Sequence, residues 1–206
     1  MIGSLNNKNI KDLNFLQVDK ISIKGLDEKN NFQIKEDLNF LKFENLFFLD
    51  KERIKEIIDT NNLVESYSIF KIYPSRVEIE LKKTNFLAQI KKKNINFVLG
   101  SNGKFIKVND PQSDMPYIFG DFQVENFFDL KTKISETQFN YKDVKSFFFF
   151  KSGRWDIETK SGLLIRLPEK NIKKSLQLMI DFLAKENNEK INKIDLRQYN
   201  QIIING

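Results

Sequence analysis

Histidine and cysteine are both absent from the 206 residues of this chain. An enzyme built from it would lack an imidazole base and a thiolate nucleophile, and a zinc site would lack its usual ligands. We therefore expect a protein that is not an enzyme, with no catalytic residues, no metal site and no cofactor. The missing cysteine leaves the compartment open, because a periplasmic protein without disulfides and a cytosolic protein both fit.

Long apolar runs are missing as well. No segment reaches the length of about 20 residues that spans a bilayer, and no signal-peptide pattern opens the chain. The sequence therefore predicts either a soluble protein or a piece of a protein whose membrane anchor lies upstream. Residues 1–17, which begin with Met1-Ile2-Gly3-Ser4 and a polar stretch, fit a membrane-proximal segment.

Arginine is scarce in a basic chain. The net charge is +6, but only five of the 34 basic residues are arginine, and 28 acidic residues are interspersed among them. A nucleic-acid-binding protein is expected to collect positive charge, and arginine in particular, on one face. Nucleic acid is therefore not an expected partner, and the basic run Lys91-Lys92-Lys93 fits a solvated hairpin.

The chain does contain enough apolar residues for a core. Hydrophobic residues make up 40% of it, which suits one large domain or two small ones. Between residues 18 and 83 the pattern predicts strand, helix, helix, strand, strand. Gly25 ends the first strand, Asp50 caps the second helix and Tyr73-Pro74 turns the hairpin. This order resembles a POTRA domain, with a generic small α/β sandwich as the alternative.

The second half of the chain predicts a β-rich domain. Short strands are expected from Phe86 to Lys91, from Ile95 to Leu99 and from Lys104 to Val108. A helix is expected over roughly Val124 to Ile134, because apolar residues recur there at near-helical spacing. Beyond it, glycine turns indicate three antiparallel strands, and Pro168 leads into a helix with an apolar stripe.

Four consecutive phenylalanines, Phe147 to Phe150, place large side chains on both faces of the first of these three strands. We expect a core strand that is covered on both sides. An exposed patch that binds a partner is the alternative. Trp155, on the next strand, is also expected in the core because it alternates with Ile157 on one face.

Several motifs follow the POTRA-like unit in a fixed order. They are Met115-Pro116-Tyr117-Ile118-Phe119-Gly120, Arg154-Trp155, Gly162 with Leu167-Pro168, a helix, and Ile194-Asp195-Leu196-Arg197. Together these features resemble the extracytoplasmic part of the FtsQ/DivIB family of bacterial cell-division proteins. The chain departs from the family pattern at Lys83 and Phe86, where an acidic residue and a proline are usual.

The resemblance implies an α+β fold in three parts. Residues 1–17 would be the membrane-proximal segment and residues 18–84 an N-terminal POTRA domain of β-α-α-β-β order. Residues 85–206 would form a mainly antiparallel β domain with helices packed on its sheet.

The resemblance also implies a non-catalytic scaffold of the division machinery, the divisome. Family members are held in the cytoplasmic (inner) membrane by one helix, with both domains on the periplasmic side at the septum, and they recruit septal cell-wall synthesis. The implied partners are FtsB (DivIC)-type and FtsL-type coiled-coil membrane proteins. The POTRA domain is expected to contact other divisome membrane proteins, with the segment from Ile69 to Val77 as its candidate surface.

The last dozen residues, Asp195 to Gly206, predict a strand at the end of the chain with an uncovered edge. The resemblance implies that an FtsB-type segment adds to this strand while arginines meet its acidic side chains. The expected partner-binding residues are Arg154, Arg197, Gln198, Tyr199, Gln201, Ile202, Ile203 and Ile204.

Each of these assignments has an alternative. Arg197 also fits an ion pair with Asp195 inside the chain, and Arg154 fits a solvent-facing strand residue. The last strand also fits an arrangement in which it pairs on both sides within the domain. The family commonly has an aromatic residue after the arginine, whereas this chain has Gln198 there and Tyr199 one place later. On a strand, that shift moves the aromatic ring to the opposite face.

Two other classes of function stay open at this point. A POTRA-bearing module of outer-membrane assembly or secretion machinery would also bind proteins. Such modules tend to repeat or to precede a long barrel, and neither feature appears in the sequence. An enzyme or calcium site based on carboxylates would rely on Asp110, Asp114 and Asp121, but their spacing is not that of a calcium loop.

Overall fold

The computed structural model describes residues 16–185 and 191–205. The chain divides into two compact units: the first contains Met1–Phe86 and Gly100–Ile106, and the second contains Leu87–Leu99 and Lys107–Gly206. Apart from residues 16 and 17, the predicted membrane-proximal segment lies outside the described residues. Among the helices described, none has the length and apolar character needed to cross a bilayer.

The first unit has the predicted order of strand, helix, helix, strand, strand. Its elements are β1 (Lys20–Lys24), α1 (Glu28–Asp37), α2 (Lys51–Asp59), β2 (Val64–Ile72) and β3 (Arg76–Lys83), with short 3₁₀ helices at Asn39–Phe43 and Leu46–Phe48. The strands lie in the order β1-β3-β2, with β1 parallel and β2 antiparallel to β3. The turn between β2 and β3 contains Tyr73-Pro74, as predicted.

Local sequence signals explain where these elements begin and end. The Asp50 carboxylate accepts a 3.0 Å hydrogen bond from the backbone N–H of Arg53 and so caps α2, as predicted. Gly25 has a φ of +120°, and a Cβ at this position would lie 1.7 Å from the carbonyl oxygen of Leu81. Only glycine therefore fits the end of β1. Side chains from the helices and strands form one core, which includes Ile21, Ile34, Leu38, Leu41, Ile54, Ile58, Val77 and Ile79.

The second sheet has nine strands in the order β12-β11-β10-β9-β8-β7-β4-β5-β6, so β12 and β6 are its edges. These strands are β4 (Phe86–Lys92), β5 (Ile95–Gly100), β6 (Phe105–Val108), β7 (Tyr117–Phe119), β8 (Val144–Phe149), β9 (Trp155–Thr159), β10 (Leu164–Arg166), β11 (Lys193–Asp195) and β12 (Ile203–Ile204). The neighbours β8, β9 and β10 are antiparallel, as predicted. Strand β7 runs parallel to β8, and β11 runs parallel to β10.

Two helices, α3 (Val124–Ser135) and α4 (Ile172–Leu183), cover one face of this sheet. Phe127 of α3 lies against Phe147 of β8 and Trp155 of β9, with ring centroids 5.6 Å and 6.3 Å apart. Helix α4 contacts α3 and buries Leu176 and Met179. Trp155 is therefore in the core, as predicted, and the α+β fold expected from the sequence is observed.

The opposite face of β8 does not match the prediction that this strand is covered on both sides. Phe148 points away from Phe147 and is only partly buried. On the neighbouring strand β7, Phe119 is 46% exposed. The prediction is wrong for this face because α3 packs on the side of Phe147 and Trp155. We call the uncovered side of strands β7 to β12 the open face.

Candidate protein-interaction site

The end of the described chain is a hairpin, whereas the sequence predicted one strand from Asp195 onward. Strand β11 stops at Asp195, and the chain turns and returns as β12, which contains only Ile203 and Ile204. The Asp195 carboxylate accepts a 3.0 Å hydrogen bond from the backbone N–H of Arg197, which starts the turn. Asn200 has a φ of +58°, which allows the chain to reverse. The predicted continuous strand is therefore corrected to a hairpin.

Strand β12 lies at the edge of the sheet and pairs with β11 on one side. The Asn205 N–H donates a 2.8 Å hydrogen bond to the Lys193 carbonyl oxygen, which makes these two residues a hydrogen-bonded pair. In an antiparallel ladder such pairs alternate with non-hydrogen-bonded ones. Ile204, opposite Ile194, is therefore a non-hydrogen-bonded position, and its backbone N–H and C=O point away from β11.

Arg197 forms the ion pair with Asp195 that the sequence allowed. Its Nε lies 2.8 Å and 2.9 Å from the two carboxylate oxygens, and its Nη2 also donates to the carboxylate. Asp195 is only 7% exposed, and the hydrogen bond from Arg197 lowers the pKa of its carboxyl below the ordinary value. The Arg197 side chain stays 41% exposed, so it covers the aspartate and still faces solvent.

Arg154 forms a similar ion pair with Asp156 of β9. Its Nε lies 3.3 Å from Asp156, and its guanidinium lies 4.6 Å from the centre of the Phe150 ring. Asp156 is 5% exposed, and burial raises the pKa of its carboxyl. Arg154 is therefore held by two neighbours, and 24% of its side-chain area stays exposed.

A third arginine, Arg166 of β10, joins this group and was not predicted as a site residue. Its Nη1 lies 3.7 Å from the Asp195 carboxylate. It sits between the buried residues Ile165 and Leu167, an alternation that points it out of the core. That alternation, together with the scarcity of arginine, could have identified Arg166 from the sequence.

The pairing of the strands places Asp156, Arg166 and Asp195 in one line across the open face. The line contains one residue from each of the six neighbouring strands β7 to β12, and each residue is paired with the next. The line, which we call the open-face row, consists of Phe119, Phe148, Asp156, Arg166, Asp195 and Ile203. Sequence reasoning missed the row because parallel pairings such as β10 with β11 join segments that are far apart in the chain.

The remaining predicted residues lie in the turn of the terminal hairpin. Gln198, Tyr199, Gln201 and Ile202 all precede β12, so the rule of alternating strand faces does not apply to Tyr199. Tyr199 is 72% exposed, and its hydroxyl accepts a 3.2 Å hydrogen bond from the Lys174 ammonium of α4. The same ammonium lies 5.0 Å from the centre of the tyrosine ring. Helix α4 thus supports the turn.

Two other features singled out in the sequence are the acidic loop and the candidate surface of the first unit. Within residues 16–185 and 191–205 no group of three acidic side chains could hold a metal ion, so Asp110, Asp114 and Asp121 do not converge. In the first unit, the segment from Ile69 to Val77 includes part of the edge strand β2, and it exposes the rings of Phe70 and Tyr73.

Comparison with known families covers most of the chain. Residues 16–83 match the family described as POTRA domain, FtsQ-type. Residues 88–197, more than half of the chain, match the family described as Cell division protein FtsQ/DivIB, C-terminal. The second match ends at Arg197, so strand β12 lies beyond it.

Curated relatives are similar at low identity. The cell division protein FtsQ of Bradyrhizobium diazoefficiens is 25% identical over 167 residues, which cover 77% of this chain and 48% of the relative. FtsQ of Rickettsia bellii is 24% identical over 192 residues, which cover 91% of this chain and 72% of the relative. FtsQ of Rhizobium meliloti is 21% identical over 167 residues, which cover 79% and 53%. The chain thus spans about half the length of two of these relatives.

Among solved structures, the major extracytoplasmic domain of the cell division protein DivIB from Geobacillus stearothermophilus is similar, with a TM-score of 0.35 and 12% identity. The alignment covers 52% of this chain and 90% of that one.

The two family matches follow each other in the order that the sequence motifs predicted. The first is specifically of the FtsQ type, which favours cell division over the outer-membrane assembly module that the sequence also allowed. This chain belongs to the FtsQ/DivIB family of bacterial cell-division proteins.

Proposed function

We propose that this protein is a non-catalytic divisome scaffold that binds an FtsB-type protein by strand addition at β12. The observation that carries the proposal is the outward-pointing backbone of Ile204 on an uncovered edge strand, with Arg197 at the other end of the same hairpin. An added strand would gain backbone hydrogen bonds from Ile204, and its acidic side chains would gain charge-assisted bonds from the arginines. FtsL-type proteins would join the same complex.

In this scaffold role the domains would lie on the periplasmic side of the cytoplasmic membrane at the septum, held there by a membrane anchor. Membership of a cell-division family supports this location. The complex would recruit septal cell-wall synthesis, and the first unit would contact further divisome membrane proteins, with the segment from Ile69 to Val77 as its candidate surface.

The test is a proline substitution at the residue whose N–H points outward. Ile204→Pro removes one backbone donor from the open edge and leaves the hydrogen bonds between β11 and β12 in place, because residue 204 does not donate to β11. We expect binding to the purified extracytoplasmic segment of the FtsB-type protein to weaken at least about tenfold, measured by calorimetry.

Ile204→Ser is the matched control, because it changes the side chain and keeps the backbone donor. Thermal melts of both variants should resemble that of the parent chain. Equal affinity of Ile204→Pro and Ile204→Ser for the FtsB-type segment would contradict strand addition at β12.

A further inference from the structure

The first unit exposes three phenylalanines on one short segment between α1 and α2. Phe43, Phe47 and Phe48 are 84%, 54% and 77% exposed. The leucines of the same segment are buried in the core, namely Leu41, Leu46 and Leu49. Leucine therefore fills the core here, and phenylalanine faces solvent. Several exposed aromatic rings on one segment indicate a surface that contacts an apolar partner.

Hydrogen bonds fix the backbone of this segment, so its rings are held outward by a defined structure. The Asn45 side-chain oxygen accepts a 2.9 Å hydrogen bond from the backbone N–H of Phe47. A carboxylate oxygen of Glu44 accepts a 3.1 Å hydrogen bond from the backbone N–H of Asp50, at the start of α2. The exposure of the rings is therefore a property of the fold.

A fourth aromatic ring comes from the turn between β2 and β3. Tyr73 is 54% exposed, and its ring centre lies 5.5 Å from that of Phe47. The Lys71 ammonium donates a 3.0 Å hydrogen bond to the Phe47 carbonyl oxygen, which ties this turn to the segment. We call these four residues the aromatic rim, which consists of Phe43, Phe47, Phe48 and Tyr73.

The chain enters the first unit beside the aromatic rim. The Gln17 side-chain amide donates a 2.9 Å hydrogen bond to the Lys42 carbonyl oxygen. The Asp19 backbone N–H donates a 2.8 Å hydrogen bond to the Ser75 carbonyl oxygen. Both acceptors lie within two residues of the rim in the sequence. Residues 1–17, the predicted membrane-proximal segment, therefore join the unit at the end that carries the exposed rings.

Basic side chains accompany the rings. In the three stretches that meet at this end, residues 16–20, 42–53 and 71–76, exposed basic side chains outnumber exposed acidic ones. They are Lys20, Lys42, Lys51, Arg53 and Arg76 against Asp19, Asp50 and Glu52. Aromatic rings flanked by cations are typical of proteins that lie on a bilayer, because the rings enter the boundary of the acyl chains while the cations stay at the phosphates.

The backbone of the rim is already bonded, which separates it from an edge that accepts a strand. The N–H groups of Phe47 and Phe48 donate to the side chain and the carbonyl of Asn45, and the Phe47 carbonyl accepts from Lys71. A protein strand could gain no hydrogen bonds from these groups. A lipid surface needs none, since it offers apolar burial and phosphate charge without a fixed geometry.

We propose that the aromatic rim inserts into the surface of an anionic bilayer. Phe43 and Phe48 enter the boundary between acyl chains and headgroups, and the flanking cations bind lipid phosphates. The inference rests on the proposed function, in which a membrane anchor holds the protein beside the bilayer. It goes beyond that function, because the folded first unit itself binds lipid and is thereby oriented on the membrane.

The composition of the chain allows a direct test on its complete length. Because cysteine is absent, Phe48→Cys carries a single environment-sensitive NBD probe. Because histidine is absent, an N-terminal polyhistidine tag alone tethers the chain to vesicles of phosphatidylethanolamine, phosphatidylglycerol and a nickel-chelating lipid. We expect the NBD fluorescence to rise and shift to the blue on tethering, and brominated acyl chains to quench it.

Phe32→Cys with the same probe is the matched control. Phe32 is 63% exposed on α1. The Asn61 side chain donates a 3.1 Å hydrogen bond to Asn30, which places this part of α1 near the start of β2, whereas Tyr73 follows the end of β2. The probe at 32 should keep the spectrum that it has in water. A probe at 48 that also stays in water would overturn the inference.

Vesicle co-sedimentation of the untethered chain gives a second readout. Phe43→Ser combined with Phe48→Ser should weaken binding to vesicles of phosphatidylethanolamine and phosphatidylglycerol about tenfold, because two exposed rings no longer enter the interface. Phe32→Ser should bind like the parent chain. Equal binding of the double variant, Phe32→Ser and the parent would contradict insertion of the rim.

Measurements without lipid separate this inference from the proposed function. The double variant should bind the FtsB-type segment like the parent chain. If it loses that binding while the probe at 48 stays in water, the rim contacts protein and the membrane inference fails. If Ile204→Pro and Ile204→Ser bind the FtsB-type segment equally while the probe at 48 enters the bilayer, strand addition fails and lipid binding by the rim stands.

Discussion

At the residue scale, Arg197 forms the ion pair with Asp195 that the sequence offered as one alternative, and we propose that it also makes the other contact, to a partner carboxylate. Its guanidinium neutralises the nearly buried Asp195, and its exposed part remains available to a partner carboxylate. Lysine could not do the same, because its single ammonium cannot bond both oxygens of Asp195 in one plane. A substitution at Arg197 will therefore change stability as well as binding, and loss of binding alone would not identify it as a contact residue.

Arg197→Ala should lower the free energy of unfolding by about 1 to 2 kcal/mol at neutral pH, because Asp195 then keeps only the bond from the backbone N–H of residue 197 and the longer contact to Arg166. The folded-state pKa of Asp195 is lowered, so the ion pair stabilises the fold above about pH 4 and is lost as the pH falls through the lowered pKa. The difference between variant and parent should therefore shrink toward zero below about pH 4. Urea unfolding at several pH values measures it, and a difference that stays constant down to about pH 3 would contradict this role.

At the element scale, the shape of β7 and β8 determines whether the open-face row exists. Gly120 ends β7 with a φ of +107°, and a Cβ there would lie 2.2 Å from the Phe149 carbonyl oxygen of β8. Gly162 has a comparable φ of +89°, but a Cβ at that position would have no atom within 4 Å, so only backbone strain opposes a side chain there. A comparison of the two glycines thus distinguishes the effect of close packing from the effect of backbone conformation.

Gly120→Ala should lower the free energy of unfolding by about 2 to 4 kcal/mol, whereas Gly162→Ala should lower it by about 1 kcal/mol. The larger effect follows because β7 must move away from β8, which also separates Phe119 from Phe148. Chemical denaturation measures the stabilities, and ring-proton chemical shifts report the contact between Phe119 and Phe148. Equal losses in the two variants would show that the close approach of β7 to β8 is unimportant.

Most elements could be predicted from local patterns. Asp50 and the glycine turns between β8, β9 and β10 act through their immediate neighbours, so their signals are complete in a short stretch of sequence. The terminal hairpin was missed because its short strand β12 is defined by its pairing with β11, and the isoleucine-rich pattern of this segment does not show that pairing.

At the scale of the whole molecule, the first unit is not continuous in sequence. It includes Gly100–Ile106, which lies beyond its last strand in the chain. Within this unit the Asn102 side-chain amide donates to the carbonyl oxygens of Asn62 and Val64 at 2.9 Å and 2.8 Å. The Ser101 hydroxyl donates to the Glu65 carboxylate at 2.7 Å. These bonds hold a distant segment in the unit.

A fragment of residues 85–206 should therefore be less stable than the same residues in the complete chain, because the Ser101 hydroxyl loses Glu65 and the Asn102 amide loses the carbonyl oxygens of Asn62 and Val64. We expect its melting temperature to be lower by several degrees, which corresponds to about 1 to 2 kcal/mol for a domain of this size. Differential scanning calorimetry compares the two, and the double variant Ser101→Ala and Asn102→Ala in the complete chain is the control. A fragment that melts with the complete chain would contradict this role of the segment.

The sequence by itself determined the order of most elements and the family, and it predicted the neighbourhood that we propose for partner binding. These follow from residue types, short-range periodicity and motif order, all of which are local properties. Only the tertiary structure decided that the final strand is a hairpin edge with Ile204 pointing outward. It also decided that Phe119, Phe148, Asp156, Arg166 and Asp195 form one row. The physical reason is register: strands that are distant in sequence become neighbours only through the pairing of the whole sheet.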